Sequence, residues 1–238
     1  MTNMKIAGGT GDDGRPQETR CDRATAFILK EIIDGRIGPG ARINEQDVAQ
    51  RLDMSRGPVR EAIRGLSARG LLSFEPNVGA RVVLLDPKLI ADLYEVRAEL
   101  EGLAARNAAK WMTEEDRAAL LDLLAQHDLQ IEKEPLGPYP LSSFDHDFHT
   151  MILQGSKNRM VWRICGHDLR DLLILVRRQH SIRPGRGRDA LQEHRQIAEA
   201  IVKGNSPLAE LLMVQHIEAS RESLLASLSV ISTPQRRR

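Results

Sequence analysis

The stretch Asn44-Glu-Gln-Asp-Val-Ala-Gln-Arg-Leu-Asp-Met-Ser-Arg-Gly-Pro-Val-Arg-Glu-Ala-Ile-Arg-Gly-Leu66 decides the fold. Asn44 is a favoured N-cap, and Val48, Ala49 and Leu52 behind it share one helical face. Asp53-Met54 supplies a short connection. Ser55 then caps a second helix in which Val59, Ile63 and Leu66 face inward until Gly70 ends it. Two short helices around a tight turn present the N-terminus of the second one outward, the geometry that enters a major groove.

Working outward, a helix is expected from Asp22, read as its N-cap, with Ala26, Ile28, Leu29, Ile32 and Ile33 at helical spacing until Asp34-Gly35. Gly and Pro in positions 35–40 forbid its continuation, and Ala41-Arg42-Ile43 is at most a very short strand. On the other side, Leu71 to Glu75 and Ala80 to Leu84 are β-prone runs separated by Pro76-Asn77-Val78-Gly79, a composition that suits a hairpin turn. Three short helices and a hairpin make a winged helix-turn-helix over 19–85.

Asp86-Pro87 opens a different texture, in which every apolar run has helical period. Six helices are expected, at about 87–110, 114–133, 140–155, 158–181, 187–204 and 206–230. Leu89, Leu93, Val96, Leu100 and Leu103 read as the apolar stripe of the first. The fold class is therefore mainly α: an N-terminal winged helix-turn-helix with a small β-hairpin wing, then a C-terminal all-α six-helix bundle over 86–231. Residues 1–18, with GGTGDDG at positions 8–14, carry too little apolar surface to offset the entropy of ordering and are expected to be a flexible arm. The tail 232–238 is expected to be disordered, and no internal repeat is visible.

At 238 residues with 41% apolar and 28% charged composition, a soluble globular chain is expected. No apolar run approaches a membrane span and the first twenty residues lack a signal-peptide core, so a cytoplasmic location is the expectation. Cys21 and Cys165 have no CxxC spacing, which argues against a disulfide framework or a cysteine zinc module. The 34 basic and 33 acidic residues nearly cancel. Between Arg20 and Leu85 the surplus is three, eleven basic against eight acidic, so helix spacing rather than charge carries a nucleic-acid reading.

Arg56 lies in the first turn of the second of these helices and Arg60 one turn later, so both project together. Their guanidinium forks can bridge phosphate oxygens or take O6 and N7 of guanine bidentately. Gly57 between them adds no bulk. Asn77 and Gly79 at the hairpin tip are placed to reach sugar-phosphate or the minor groove, with Arg81 beside them. The bland alternative is a solvated face whose arginines pair with Glu61 and Asp53.

These residues, with Gly70-Leu-Leu and Pro76-Asn-Val-Gly-Ala, resemble the N-terminal domain of GntR-family transcription regulators. The later Asp92-Leu-Tyr-Glu-Val-Arg-Ala-Glu-Leu-Glu, Asp-x-x-Phe-His and Glu-His-x-x-Ile runs resemble the FCD ligand-binding domain of the FadR subfamily, and six C-terminal helices resemble its VanR-like branch. The resemblance spans about residues 20–230. It implies a homodimer on a short palindromic DNA operator, governed by a small-molecule effector, commonly a small carboxylate. The DNA contacts assigned on this basis are Arg42, Gln46, Ser55 and Arg56, with Gly57, Arg60, Asn77 and Gly79. Val78 and Gln46 stand where members often carry basic residues, which implies fewer phosphate contacts.

Asp145 and His149 are four apart, which on a helix puts a carboxylate and an imidazole on one face. His194 and His216, on later helices, can complete a three-nitrogen, one-oxygen set. The FCD resemblance implies the same four positions as ligands of a divalent metal ion. Zinc suits imidazole best, while nickel and manganese accept similar shells. His127, His146, His167 and His180 match no ligand position and read as ordinary polar residues. Arg97 either pairs with Glu101 one turn on or grips an effector carboxylate.

Such a site also fits a metal-dependent hydrolase. No His-Glu-x-x-His, serine elbow or phosphate loop accompanies it. Glu193 adjoins His194, yet neighbouring helical residues point about 100° apart, so it reads as a poor supporting carboxylate or base. A constitutive architectural DNA binder would need no metal-ligand set. The expectation is a metabolite-sensing regulator and not an enzyme.

Overall fold

The computed structural model describes residues 18–75, 79–135, 147–180 and 186–231. The chain divides into two units, one within Met1–Ala68 and Leu72–Val82, the other within Arg69–Leu71 and Val83–Arg238.

In the first unit, α1 (Arg20–Ile33), α2 (Glu45–Arg51) and α3 (Arg56–Ala68) precede β1 (Leu72–Glu75) and β2 (Gly79–Val82). Thr19, rather than Asp22, is the N-cap of α1. The two form a capping box in which Asp22 occupies the third helical position and bonds back to the Thr19 amide. The inward stripe is accordingly Ala24, Ile28 and Ile32, and Ala26 faces solvent. Asn44 caps α2 as expected, its side-chain oxygen accepting from Gln46 N at 2.9 Å and Asp47 N at 3.3 Å. Val48 and Ala49 pack with Val59, Ala62, Ile63 and Leu66 in the core. Asp53 takes φ +50° in the turn between α2 and α3, a conformation that Asp tolerates better than most side chains. The buried Glu31 carboxylate ties the layer together by accepting from Arg36 at 2.6 Å and Arg51 at 2.9 Å.

The strands pair antiparallel with Leu72 opposite Val82 and Glu75 opposite Gly79. Arg42 adds a single bridge to Arg81, all that remains of the short strand expected at 41–43. Arg81 donates to the Gly40 carbonyl at 2.7 Å and so braces the base of the hairpin. The hairpin tip with Asn77 lies outside the described residues.

In the second unit, α4 (Pro87–Trp111), α5 (Glu114–Lys133), α6 (Phe148–Gly155), α7 (Arg159–Arg163), α8 (Arg170–His180), α9 (Arg186–Val202) and α10 (Ser206–Ile231) are all helical. Three expectations change. The helix expected over 140–155 begins at Phe148, with Asp147 in extended conformation as its N-cap, so the shared-face argument for Asp145 and His149 on one helix does not hold. The helix expected over 158–181 is interrupted by a π-helical turn at Ile164–Asp168, where the Trp162 ring lies so close to Gly166 that a Cβ there would fall 2.6 Å from it. The buried face of α4 is also rotated from the leucine stripe: Ile90, Leu93, Tyr94, Arg97, Ala98 and Glu101 point inward, while Val96 is 47% exposed. Small residues set this register. A Cβ at Gly102 would lie 2.8 Å from Val214 Cγ2, so α10 approaches α4 on its alanine and glycine side. Phe148, Ile152, Leu191, Ile197, Ile201, Met213 and Ile217 fill the core between the helices.

Candidate metal centre and nucleic-acid face

Phe148 at the start of α6 stacks on His194 with ring centroids 3.9 Å apart, which fixes the imidazole of α9 against its neighbour. His149, next on α6, and His216 on α10 complete a buried cluster. One ligand nitrogen from each of the three lies within 4.8 Å of the others. His194 Nε2 is 3.2 Å from His216 Nε2. The three are 6%, 2% and 5% exposed, so water does not satisfy them from bulk.

The Nδ1 atoms of His216 and His149 are held by carboxylates. His216 Nδ1 donates to Glu193 Oε2 at 2.6 Å, and Glu193 in turn accepts two bonds from Arg186, at 3.0 and 2.8 Å. Arg186 also donates to Ser220 Oγ at 3.0 Å. His149 Nδ1 donates to Glu101 Oε2, and Glu101 Oε1 accepts from the fully buried Arg97. Arg97 Nη2 lies 3.4 Å from both ring nitrogens of His149. A proton fixed on Nδ1 of His216 leaves the Nε2 lone pair facing the cluster, the arrangement by which carboxylates orient metal-ligating imidazoles.

Burial pushes the pKa of His216 down to about 4, against the opposing pull of Glu193. The imidazole is therefore neutral near pH 7, the form that binds metal. Glu193 is driven upward by burial, but the bonds from His216 and Arg186 outweigh this and hold it below the usual carboxylate range. Burial likewise raises the Cys165 thiol to about 12, in the field of Glu101 and Arg97. His127 is buried as well, and desolvation lowers its pKa.

Three inward-facing imidazoles, two of them backed by carboxylates, fit a divalent cation of the zinc, nickel or manganese kind. Asp145, expected as the oxygen ligand, lies outside the described residues. Glu193 corrects the sequence reading: it points away from His194, as helical geometry demands, and reaches His216 on the next helix instead. Glu101 was foreseen only as a partner of Arg97, and its bond to His149 comes from the packing of α6 on α4.

In the first unit, Arg42, Gln46, Ser55, Arg56, Gly57 and Arg60 are all exposed. A Cβ at Gly57 would meet nothing within 4 Å, so the start of α3 is open to a close approach. Arg56 and Arg60 pair neither with Glu61 nor with Asp53. Their partner is Glu45 on α2, whose Oε2 accepts from both. Gly79 takes φ +97° at the start of β2, beside the Arg42 side chain.

A winged helix-turn-helix unit, together with a helical unit that carries an inward histidine cluster, is the architecture of a DNA-binding regulator. Residues 21–82 match the family of bacterial regulatory proteins called gntR, and residues 92–219 match the FCD domain. The chain belongs to the GntR family of transcription regulators, in its FCD-containing, FadR-like group. It is 30% identical over 202 residues to a probable D-xylose utilization operon transcriptional repressor of Paenarthrobacter nicotinovorans, covering 81% of this chain and 83% of the relative. It is 27% identical to the repressor RspR of Escherichia coli K12, covering 83% and 86%. Among solved structures, a putative GntR regulator of Rhodococcus sp. RHA1 superposes with a TM-score of 0.67 at 25% identity, covering 87% of this chain and 98% of that one. Escherichia coli McbR/YncC shares the fold, with a TM-score of 0.69 at 19% identity over 88% and 99%. The families and relatives are transcription regulators and not enzymes, and nothing in them favours the hydrolase alternative. Among the described residues no helix is long and apolar enough to cross a membrane.

Proposed function

We propose that this chain is a cytoplasmic, metabolite-responsive regulator that binds a short palindromic operator as a homodimer and senses a small carboxylate at a metal ion in its C-terminal unit. The convergence of His149, His194 and His216 beside Arg97 carries the reading. His149, His194 and His216 would hold the ion with Asp145 as the fourth ligand, and zinc is the favoured metal. The ion would supply a Lewis-acidic point for an effector carboxylate. Arg97 is committed to Glu101, so its part is to set the charge and position of Glu101 and His149, with direct contact to the effector as the second possibility. Arg42, Gln46, Ser55, Arg56, Gly57, Arg60, Asn77 and Gly79 form the DNA-contacting set. Counting the interrupted α7–α8 segment as one helix gives six after the hairpin, which supports the VanR-like branch.

The control is linkage: an effector that binds the DNA-competent and DNA-incompetent states with different affinity shifts their balance by that difference. Elemental analysis of protein purified without chelator tests the metal, with about one ion per chain expected. Thermal melting against a panel of small carboxylates, with and without chelator, tests the effector. A carboxylate-specific stabilisation that disappears on chelation is the expected result. Protein free of metal, with melting indifferent to every carboxylate, overturns the sensor reading and leaves the regulator.

A further inference from the structure

Glu45 occupies the first position of α2, beside the Asn44 cap, and its carboxylate reaches across the turn to α3. Oε2 accepts from Nη2 of Arg56 at 3.0 Å and from Nη2 and Nε of Arg60 at 3.1 and 3.4 Å. One oxygen thus holds two arginines at the exposed start of α3. The arginine side chains are 58% and 50% exposed, and Glu45 is 26% exposed. We infer that Glu45 is a positioning residue for DNA recognition: it holds Arg56 and Arg60 side by side and sets the balance between sequence-selective and indiscriminate binding. This rests on the DNA-binding reading of the first unit.

Two physical effects support it. First, each guanidinium has five N–H donors, of which the contact engages one from Arg56 and two from Arg60. A fork anchored on one edge keeps donors for a guanine edge or a phosphate while its direction is already set, which lowers the entropy lost on docking. Second, the carboxylate reduces the charge of the trio from +2 to +1. Sequence-independent affinity comes from neutralising phosphates, so a carboxylate beside the backbone weakens every register alike. Bidentate contacts to bases survive only in the right register. The bond from Arg60, opposed by burial and reinforced by Arg56, keeps the Glu45 carboxyl below its ordinary range, so it stays charged at neutral pH.

The test uses the full chain and a duplex that the wild type selects from a random-sequence pool. Affinity for this duplex and for a scrambled one is measured across salt for wild type, Glu45→Gln and Asp47→Asn. Asp47 lies on the same helix, and its carboxylate is 4.0 Å from Arg51. Its variant removes the same charge without touching the trio. In Glu45→Gln the selected-to-scrambled ratio is expected to fall about tenfold, with scrambled-duplex binding tighter and the salt slope steeper by about one counterion. Asp47→Asn is expected to leave the ratio within about twofold. An unchanged ratio in Glu45→Gln, or an equal fall in both variants, overturns the positioning role alone. A wild type that selects no duplex overturns the DNA-binding reading itself.

Discussion

Arg56, Arg60 and Glu45 lie between positions 45 and 60, on two helices joined by a tight turn, and stay half in water. Arg97, Glu101, His149, His194 and His216 come from four helices between positions 97 and 216 and are nearly dry. The first cluster keeps an uncompensated positive charge because solvent tolerates it. The second must satisfy its polar atoms internally, because a buried unpaired charge is costly. Its arginine is therefore paired with a carboxylate, and His216 is held neutral. An exposed charged surface can be assembled from neighbours in sequence, whereas a dry cluster has to be enclosed by helices brought from far apart.

The sharpest way to break this comparison is to remove one wall of the dry cluster. His194→Ala is expected to lower metal affinity more than about 100-fold while the fold survives, read by elemental analysis and circular dichroism. Full metal occupancy in that variant removes His194 from the ligand set.

Acid provides the next largest effect. In metal-stripped protein His216 has a folded pKa of about 4, below the ordinary 6.5, so the unfolded chain takes up a proton first. Its contribution is complete above about pH 6.5 and is lost as the pH falls toward 4, by about 3 kcal/mol in all. Denaturant titrations from pH 7 to 4 on the chelated wild type and on His216→Gln check the sign, and the variant is expected to show the flatter profile.

On the wet side, Arg60→Ala is expected to weaken binding to a selected duplex by about 2 kcal/mol with metal content unchanged, measured by fluorescence anisotropy. Operator affinity equal to wild type would remove Arg60 from the contact surface. A smaller effect sharpens the contrast further. Glu193→Gln keeps shape and loses the charge behind His216, and a metal affinity about tenfold weaker is expected in a competition titration. Equal affinity would make the Arg186–Glu193 pair a structural brace and nothing more.

Much of the first unit was legible because its instructions are local. The Asn44 cap, the Asp53-Met54 turn, Gly35 and Gly70 at helix ends and the hairpin composition each act within a few residues. The arginines were found, but their partner was not, since Glu45 lies across the turn and the spacing from Arg60 matches no helical rule. In the second unit, His149, His194 and His216 were identified, while the face of α4 was misjudged. Leu89, Leu100 and Leu103 outweigh alanines in any hydrophobic pattern, yet the close approach of α10 at Gly102 turned Ala98, Arg97 and Glu101 inward. The π-helical turn at Ile164–Asp168 gave no signal either, because its residues continue an ordinary helical period.

By itself the sequence determined the two-part architecture, the exposed arginine pair and the identity of the three histidines. Caps, turns and residue chemistry are short-range or intrinsic and do not depend on what packs against them. Only the tertiary structure decided which carboxylates serve which charges: Glu45 for two arginines, Glu101 for Arg97 and His149, and Glu193 for His216. Those choices follow from interhelical distance and burial, quantities that exist only once the helices have met.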